Sequence, residues 1–263
     1  MKILVVAKRQ LALAWLCETD AIIKAAGVLA LGKNEDFHVE THAVIASAKL
    51  IPGRPGKPIL VSPLDLPKRS MRTHEGRAAL IHALAHIEFN AINLALDAIW
   101  RFENMPEKYY RDWLKVAAEE AYHFSLLNAH LQSLGYEYGI FSGHNSLWEM
   151  VDRTKNDVLA RMALVPRTME ARGLDASPAL RNKLSQVGDM RATEIIDIIL
   201  HDEIGHVAIG NVWFNWLCEQ RKLEPLATFE TLCIDYSAPK LKPPFNLEAR
   251  RQAGFSEDEL ALL

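Results

Sequence analysis

The sequence predicts an all-α protein: a four-helix bundle over residues 73–222, an N-terminal helix and Pro-rich strap over 1–72, and a C-terminal wrapping tail over 223–263. Three observations predict it. Apolar residues recur at the helical period in four long stretches between 75 and 221. Capping and breaking residues bound these stretches. Acids and histidines recur on the apolar faces, as a bundle core built to hold ions would require.

Residues 11–31 are Ala- and Leu-rich and predict a helix. The stretch IPGRPGKPILVSPLDLPK carries prolines at 52, 55, 58, 63 and 67, so it predicts an extended strap. Residues 75–103 place Ile81, Leu84, Ala85, Glu88, Ala91, Ile92, Ala95 and Ile99 on one face. Asn104-Met-Pro-Glu107 stops that helix and starts a second, which runs to about Leu134 and ends at Gly135. A Gly- and aromatic-rich loop, YEYGIFSGHN, follows. Ser146-x-x-Glu149 predicts the cap of a third helix, kinked at Pro166 and closed at Gly173. Ser177-Pro178 predicts a short extra helix, and about 190–221 a fourth long one. The tail reads as irregular around Lys240–Pro244, with Ser256-x-x-Glu259 capping a short final helix.

The 263 residues suffice for one large domain or two small ones. A net charge of −3 argues against a broad electrostatic grip on nucleic acid. Cys17, Cys218 and Cys233 form no CxxC and no disulfide framework, which fits reduced thiols and a cytoplasmic location. Neither a signal peptide nor a membrane span is expected.

Three Glu-x-x-His tetrapeptides occur, where about one is expected by chance. Glu35-x-x-His38 lies in a polar stretch and reads as a solvated surface. The other two lie on apolar helical faces: Glu120-x-x-His123 among Trp113, Val116, Phe124 and Leu127, and Glu203-x-x-His206 among Ile196, Ile199, Val207 and Trp213. At i and i+3 both side chains leave the same side of a helix and can reach one ion. Glu88 and Glu170 are further acids at apolar positions. Glu88 precedes Glu120 by 32 residues and Glu170 precedes Glu203 by 33. The chain thus repeats a unit: a helix with Glu, then a helix with acid-Glu-x-x-His.

A lone buried Glu or His is more often a satisfied core group than a ligand. Six at matched spacing predict a dinuclear site, since four carboxylates in an apolar core need cations to offset them. The O/N donor set suits two iron ions, with an Fe/Mn pair or manganese as alternatives. Glu119 and Asp202 lie about 100° round the helix from their neighbouring ligands. They are expected to accept the free ring N–H of His206 and His123 respectively. Gly205 is expected to permit close helix approach. His82 and His86 are spaced i, i+4, with His86 directed nearly opposite Glu88, and are expected in surface or second-layer packing. His130 is expected in a hydrogen-bonded core role.

These residues resemble the ferritin-like di-iron carboxylate superfamily over about 75–220. More narrowly, HALAHIEFNAINLALDA, EEAYHFSLL, VPRTMEARGLDASP, ILHDEIGHVAIG and KPPFNLEARRQAGF are similar to an uncharacterised bacterial ferritin-like family, domain of unknown function 455. The resemblance implies a ferritin-like four-helix bundle with Glu88 and Glu170 as single-carboxylate ligands and Glu120, His123, Glu203 and His206 as the two paired half-sites. It supplies no substrate.

The expected function is an O2-dependent oxidase or hydroxylase acting on a small molecule, with an electron donor that the sequence does not identify. Iron handling, by ferroxidase or peroxide chemistry, is the alternative. About 70 residues before the bundle and 40 after it argue against a storage-cage subunit. A tRNA-modifying hydroxylase is chemically possible, but the acidic balance disfavours nucleic acid. A homodimer is compatible with the pattern.

Overall fold

The computed structural model describes residues 7–34 and 38–263. The described residues are helical or irregular, with one isolated bridge between Leu60 and Gly143 and no strand. Glu35 lies outside them. The chain divides into two compact units, 1–146 and 147–263.

In the first unit, α1 (Lys8–Leu16) and α2 (Ala21–Gly32) replace the single helix expected over 11–31. The break has a local cause. Asp20 leaves helical geometry and accepts from the N–H groups of Ile22 and Ile23, both at 2.9 Å, which starts a new helix. The strap has no regular structure beyond a 3-10 turn at Pro63–Asp65, and it bends at 51–52, 56 and 58 rather than running straight. Its residues 59–61 bond the loop at Gly143: Val61 N donates to Gly143 O at 2.9 Å and Gly143 N to Ile59 O at 3.0 Å.

α3 (His74–Arg101) and α4 (Glu107–Ser133) form a packed helical hairpin, with α1 against α3 and α2 against α4. α3 is buried on more than its expected face. His82, His86, Asn90, Asn93 and Asp97 make a second, polar stripe, all buried. Each has a job in packing. Lys24 Nζ, buried on α2, donates to Asn93 Oδ1 at 2.5 Å, Gly53 O at 2.9 Å and Leu16 O at 3.2 Å. Burial pulls that amine down to about 7, while three acceptors around one nitrogen favour the ammonium. α3 is long and apolar enough to cross a membrane, but its apolar window is mostly buried within the protein and it carries this polar stripe, so it is a core helix.

In the second unit the expected third helix is divided. α5 (Ser146–Arg153) ends before Asp157, which caps α6 (Val158–Leu164) by accepting from Leu159 N at 3.0 Å. Arg161 bridges the break through Thr154 Oγ1 at 2.8 Å and Val151 O at 2.6 Å. Pro166 does not simply kink the helix. It lies in a π-helix, Val165–Glu170, where Ala171 N bonds Pro166 O and Thr168 Oγ1 bonds Ala163 O at 2.9 Å. The chain then continues as α7 (Ala171–Gln186), so neither Gly173 nor Ser177-Pro178 marks a boundary. Pro178 stands inside α7, where the expected short separate helix does not form.

α8 (Met190–Arg221) matches the expected fourth helix and packs on α7, α6 and the π-helix. The tail holds α9 (Pro225–Asp235), α10 (Leu247–Gln252) and α11 (Glu257–Ala261), the last with the expected capping box. α9 is missing from the sequence reading, although Glu224 caps it through Leu226 N and Ala227 N with Pro225 at its first position. The tail wraps the second unit: Ala249, Ala253, Phe255 and Leu260 pack on Ala171, Leu174 and Val207. Arg250 grips Asp175 with two bonds, at 2.6 and 2.9 Å.

Gly205 faces open space, contrary to the expected close approach. The glycine that makes one is Gly210, where an added Cβ would lie 2.5 Å from both Cβ and Cγ of Pro166. Gly210→Ala is therefore expected to destabilise the protein by about 1–3 kcal/mol through overpacking. Gly205→Ala should be neutral or stabilise by up to about 1 kcal/mol through helix propensity. Urea unfolding of the two variants checks the pair, and equal effects would contradict the packing assigned to Gly210.

Candidate metal centre

The first half-site is assembled by the α3–α4 hairpin. Glu88 projects from α3, and Glu120 and His123 from α4 one turn apart. Exposure is 4% for Glu88 and 0% for Glu120 and His123, so all three are removed from solvent. His123 Nδ1 lies 3.3 Å from Glu120 Oε2 and 3.6 Å from Glu88 Oε2. One donor atom from each residue falls within 4.8 Å of the others. Metal–ligand bonds of about 2.0–2.2 Å place donors roughly 3–4.4 Å apart, so this spread is close to what one ion needs.

Glu88 Oε2 is buried without a hydrogen-bond donor among the described residues. Burial, and then the neighbouring Glu120 charge, push the Glu88 carboxyl up to about 8. A buried acceptor with no donor, beside a second carboxylate and an imidazole, fits a divalent cation. The cation would displace the proton that His123 Nδ1 shares with Glu120.

The residues expected in the second half-site lie on α8 and in the π-helix. Glu203 and His206 stand one turn apart on α8, with His206 Nδ1 3.8 Å from Glu203 Oε2. His206 is fully buried and Glu203 is 8% exposed. Glu170, also buried, is the last residue of the π-helix. That position matters. A π-turn adds one residue to the helical cycle, which rotates every later side chain by about 100° relative to a regular helix. The turn is pinned to α8 by Arg167 Nε, which donates to Asn211 Oδ1 at 2.5 Å. The sequence offers one signal for it, a proline four residues before a buried glutamate.

Of the expected outer partners, Glu119 pairs with Lys115 on its own helix at 2.5 Å, and Asp202 is half-buried on α8. His82 and His86 are buried, which corrects a surface reading and agrees with second-layer packing. Their tautomers follow from their partners. His86 Nε2 faces His144 O at 3.0 Å and must donate, so Nδ1 accepts from the Tyr138 hydroxyl at 2.8 Å. His82 Nε2 accepts from Gly139 N at 2.9 Å. Burial lowers both imidazoles to about 4, so they act as neutral clamps holding the 134–145 loop on α3. Phe89 and Phe124, the chain neighbours of Glu88 and His123, pack against Tyr138 of that loop, the first tilted and the second edge-to-face. His130 is buried with its ring Nδ1 3.3 Å from Ser133 Oγ, in agreement with a hydrogen-bonded core role.

The family model for "Protein of unknown function (DUF455)" matches residues 17–261. The chain belongs to this family. A Haemophilus influenzae protein described as "Uncharacterized protein" is 54% identical over 213 residues, covering 78% of this chain and 74% of its own length. No solved structure matches the chain. The family match begins after α1, runs from α2 through α11, and so takes in all six candidate ligands and the tail.

Proposed function

We propose that this DUF455 chain is a dinuclear metal carboxylate protein of ferritin-like design, most simply di-iron, acting as an O2-dependent oxidase or hydroxylase. The observation that carries the reading is the buried Glu88–Glu120–His123 cluster, whose donors lie at ligand spacing. The sequence repeat supports extending it. Glu170, Glu203 and His206 recur with the same residue types, nearly the same spacing and the same burial, so the six side chains are read as the ligands of one two-ion centre.

The chemistry supplied by such a pair, when bound, is reduction of O2 by ferrous iron. The rest is the chain's own work. Glu88, Glu120, Glu170 and Glu203 would balance the charge of two divalent ions, and His123 and His206 would supply the nitrogen donors. The apolar walls around the first half-site, Phe89, Phe124 and Leu127, keep water from the ligands and strengthen their electrostatics. Tyr138 and the two neutral histidines fix the loop over α3, and so fix the helix that carries Glu88.

The test is oxygen consumption on adding Fe(II) to the metal-free protein under air. Rapid uptake is expected for the wild type. Uptake at the rate of free Fe(II) is expected for Glu120→Ala. Wild-type uptake in that variant would remove Glu120 from the site and the reading with it.

A further inference from the structure

The second unit contains a cavity of about 650 Å³ that the metal reading does not use. Its walls are apolar, with Leu226 and Phe229 from α9, Leu241 from the segment after it, and Phe255 before α11. Arg167, Arg250 and Lys240 also line it and supply cationic groups. The volume lies within the range of small-ligand sites, about 300–1,000 Å³.

The polar groups of the cavity are unevenly matched. Arg167 is 2% exposed and stacks against Phe214, Phe229 and Phe255, with ring centroids 4.2, 4.8 and 5.3 Å from its guanidinium carbon. Its Nε bonds Asn211 and its Nη2 bonds Glu259, but its Nη1 is buried with no acceptor among the described residues. A buried guanidinium N–H without an acceptor is costly, and a ligand oxygen would satisfy it. Arg250 also lines the cavity but is taken by Asp175. Lys240 is exposed and forms no ion pair or hydrogen bond with the described residues, and Glu230, the acidic side chain of the lining that Arg167 does not hold, is exposed as well.

We propose that this cavity binds a medium-chain carboxylate, with the apolar chain against Phe229, Leu241 and Phe255 and the carboxylate drawn to Arg167 Nη1 and Lys240. A polar ligand would leave the apolar walls unused, and a neutral oxygen would form only the weaker, uncharged bond to the guanidinium that a carboxylate surpasses. The site is independent of the metal reading, since none of the six proposed metal ligands lines it.

Calorimetric titration of the full chain with dodecanoate and with dodecanol tests this directly. Saturable binding of one dodecanoate per chain is expected, with dodecanol at least tenfold weaker. Lys240→Glu, a change at an exposed side chain, should weaken dodecanoate at least threefold. Ala238→Trp, which fills the cavity from a half-buried lining position, should abolish binding while circular dichroism stays that of the wild type. Absence of saturable dodecanoate binding, equal affinity for the alcohol, or unchanged binding in Ala238→Trp would each overturn the proposal. Unchanged dodecanoate affinity in Lys240→Glu would overturn the assigned carboxylate position.

Discussion

Glu88→Gln is expected to raise the thermal midpoint of the metal-free protein and to remove most of the stabilisation that metal gives the wild type. The sign follows from burial. In the metal-free chain the Glu88 carboxyl titrates at about 8 rather than 4.5, because burial and then Glu120 disfavour its charge. A group whose folded value is raised contributes stability below its unfolded value and loses it as pH rises to the folded value. The metal-free wild type should therefore weaken between about pH 4.5 and 8, and the glutamine variant should weaken less. At pH 7, between the two values, the glutamine variant escapes most of that penalty. The relief should show as several degrees in Tm for a chain of this size. With Fe(II) or Mn(II) present the order should reverse, since binding to the folded state stabilises only a chain that keeps its ligands. Scanning calorimetry with and without metal at pH 6 and pH 8.5 checks both arms. A lower metal-free midpoint in the variant, or an undiminished metal-induced rise, would contradict the site.

Arg9→Met should be the most destabilising single change outside the metal site, at about 3–5 kcal/mol. Arg9 is 1% exposed at the start of α1. It donates to the carbonyls of Ile99 and Trp100 at the end of α3, at 3.3 and 2.8 Å, and to Glu40, Thr41 and Ala43 at 2.9, 3.4 and 2.6 Å. One guanidinium thus satisfies helix-end carbonyls and fastens the 40–43 segment to α3. Methionine fills the space but leaves the buried carbonyls of Ile99 and Trp100 without the donors Arg9 gives them. Arg9→Lys should recover little, because an ammonium has three donors and no planar fork. Urea unfolding measures this, and a loss under about 1 kcal/mol for the methionine variant would show the carbonyls to be satisfied elsewhere.

The long helices α3, α4 and α8 were legible because their apolar period runs unbroken for more than six turns and ends at strong stops. The shorter boundaries were not. Asp20 and Asp157 are caps that look like ordinary surface acids inside a helical pattern, so α1–α2 and α5–α6 read as single helices. Gly173 and Ser177-Pro178 look like boundaries yet lie within α7. The π-turn is harder still, since only the backbone bond from Ala171 to Pro166 distinguishes it from a proline kink.

The half-site pairs were legible for a local reason. Glu120 with His123, and Glu203 with His206, are i, i+3 neighbours whose relative direction a helix fixes. Partners far apart in sequence were illegible. Nothing near Lys24 points to Asn93, and nothing near Arg9 points to Ile99. Gly205 and Gly210 show the same limit: both are helical glycines, and only the position of Pro166 tells them apart.

The measurement that tests the central claim most directly is metal content after loading with Fe(II) anaerobically and removing excess, in the wild type and in Glu120→Ala and Glu203→Ala. The account predicts about two ions per chain in the wild type and, because the proposed centre would hold both ions through common carboxylates, fewer than one in each variant. No more than a trace of metal in the wild type, or a loss of one ion only in each variant as two separate sites would give, would contradict it.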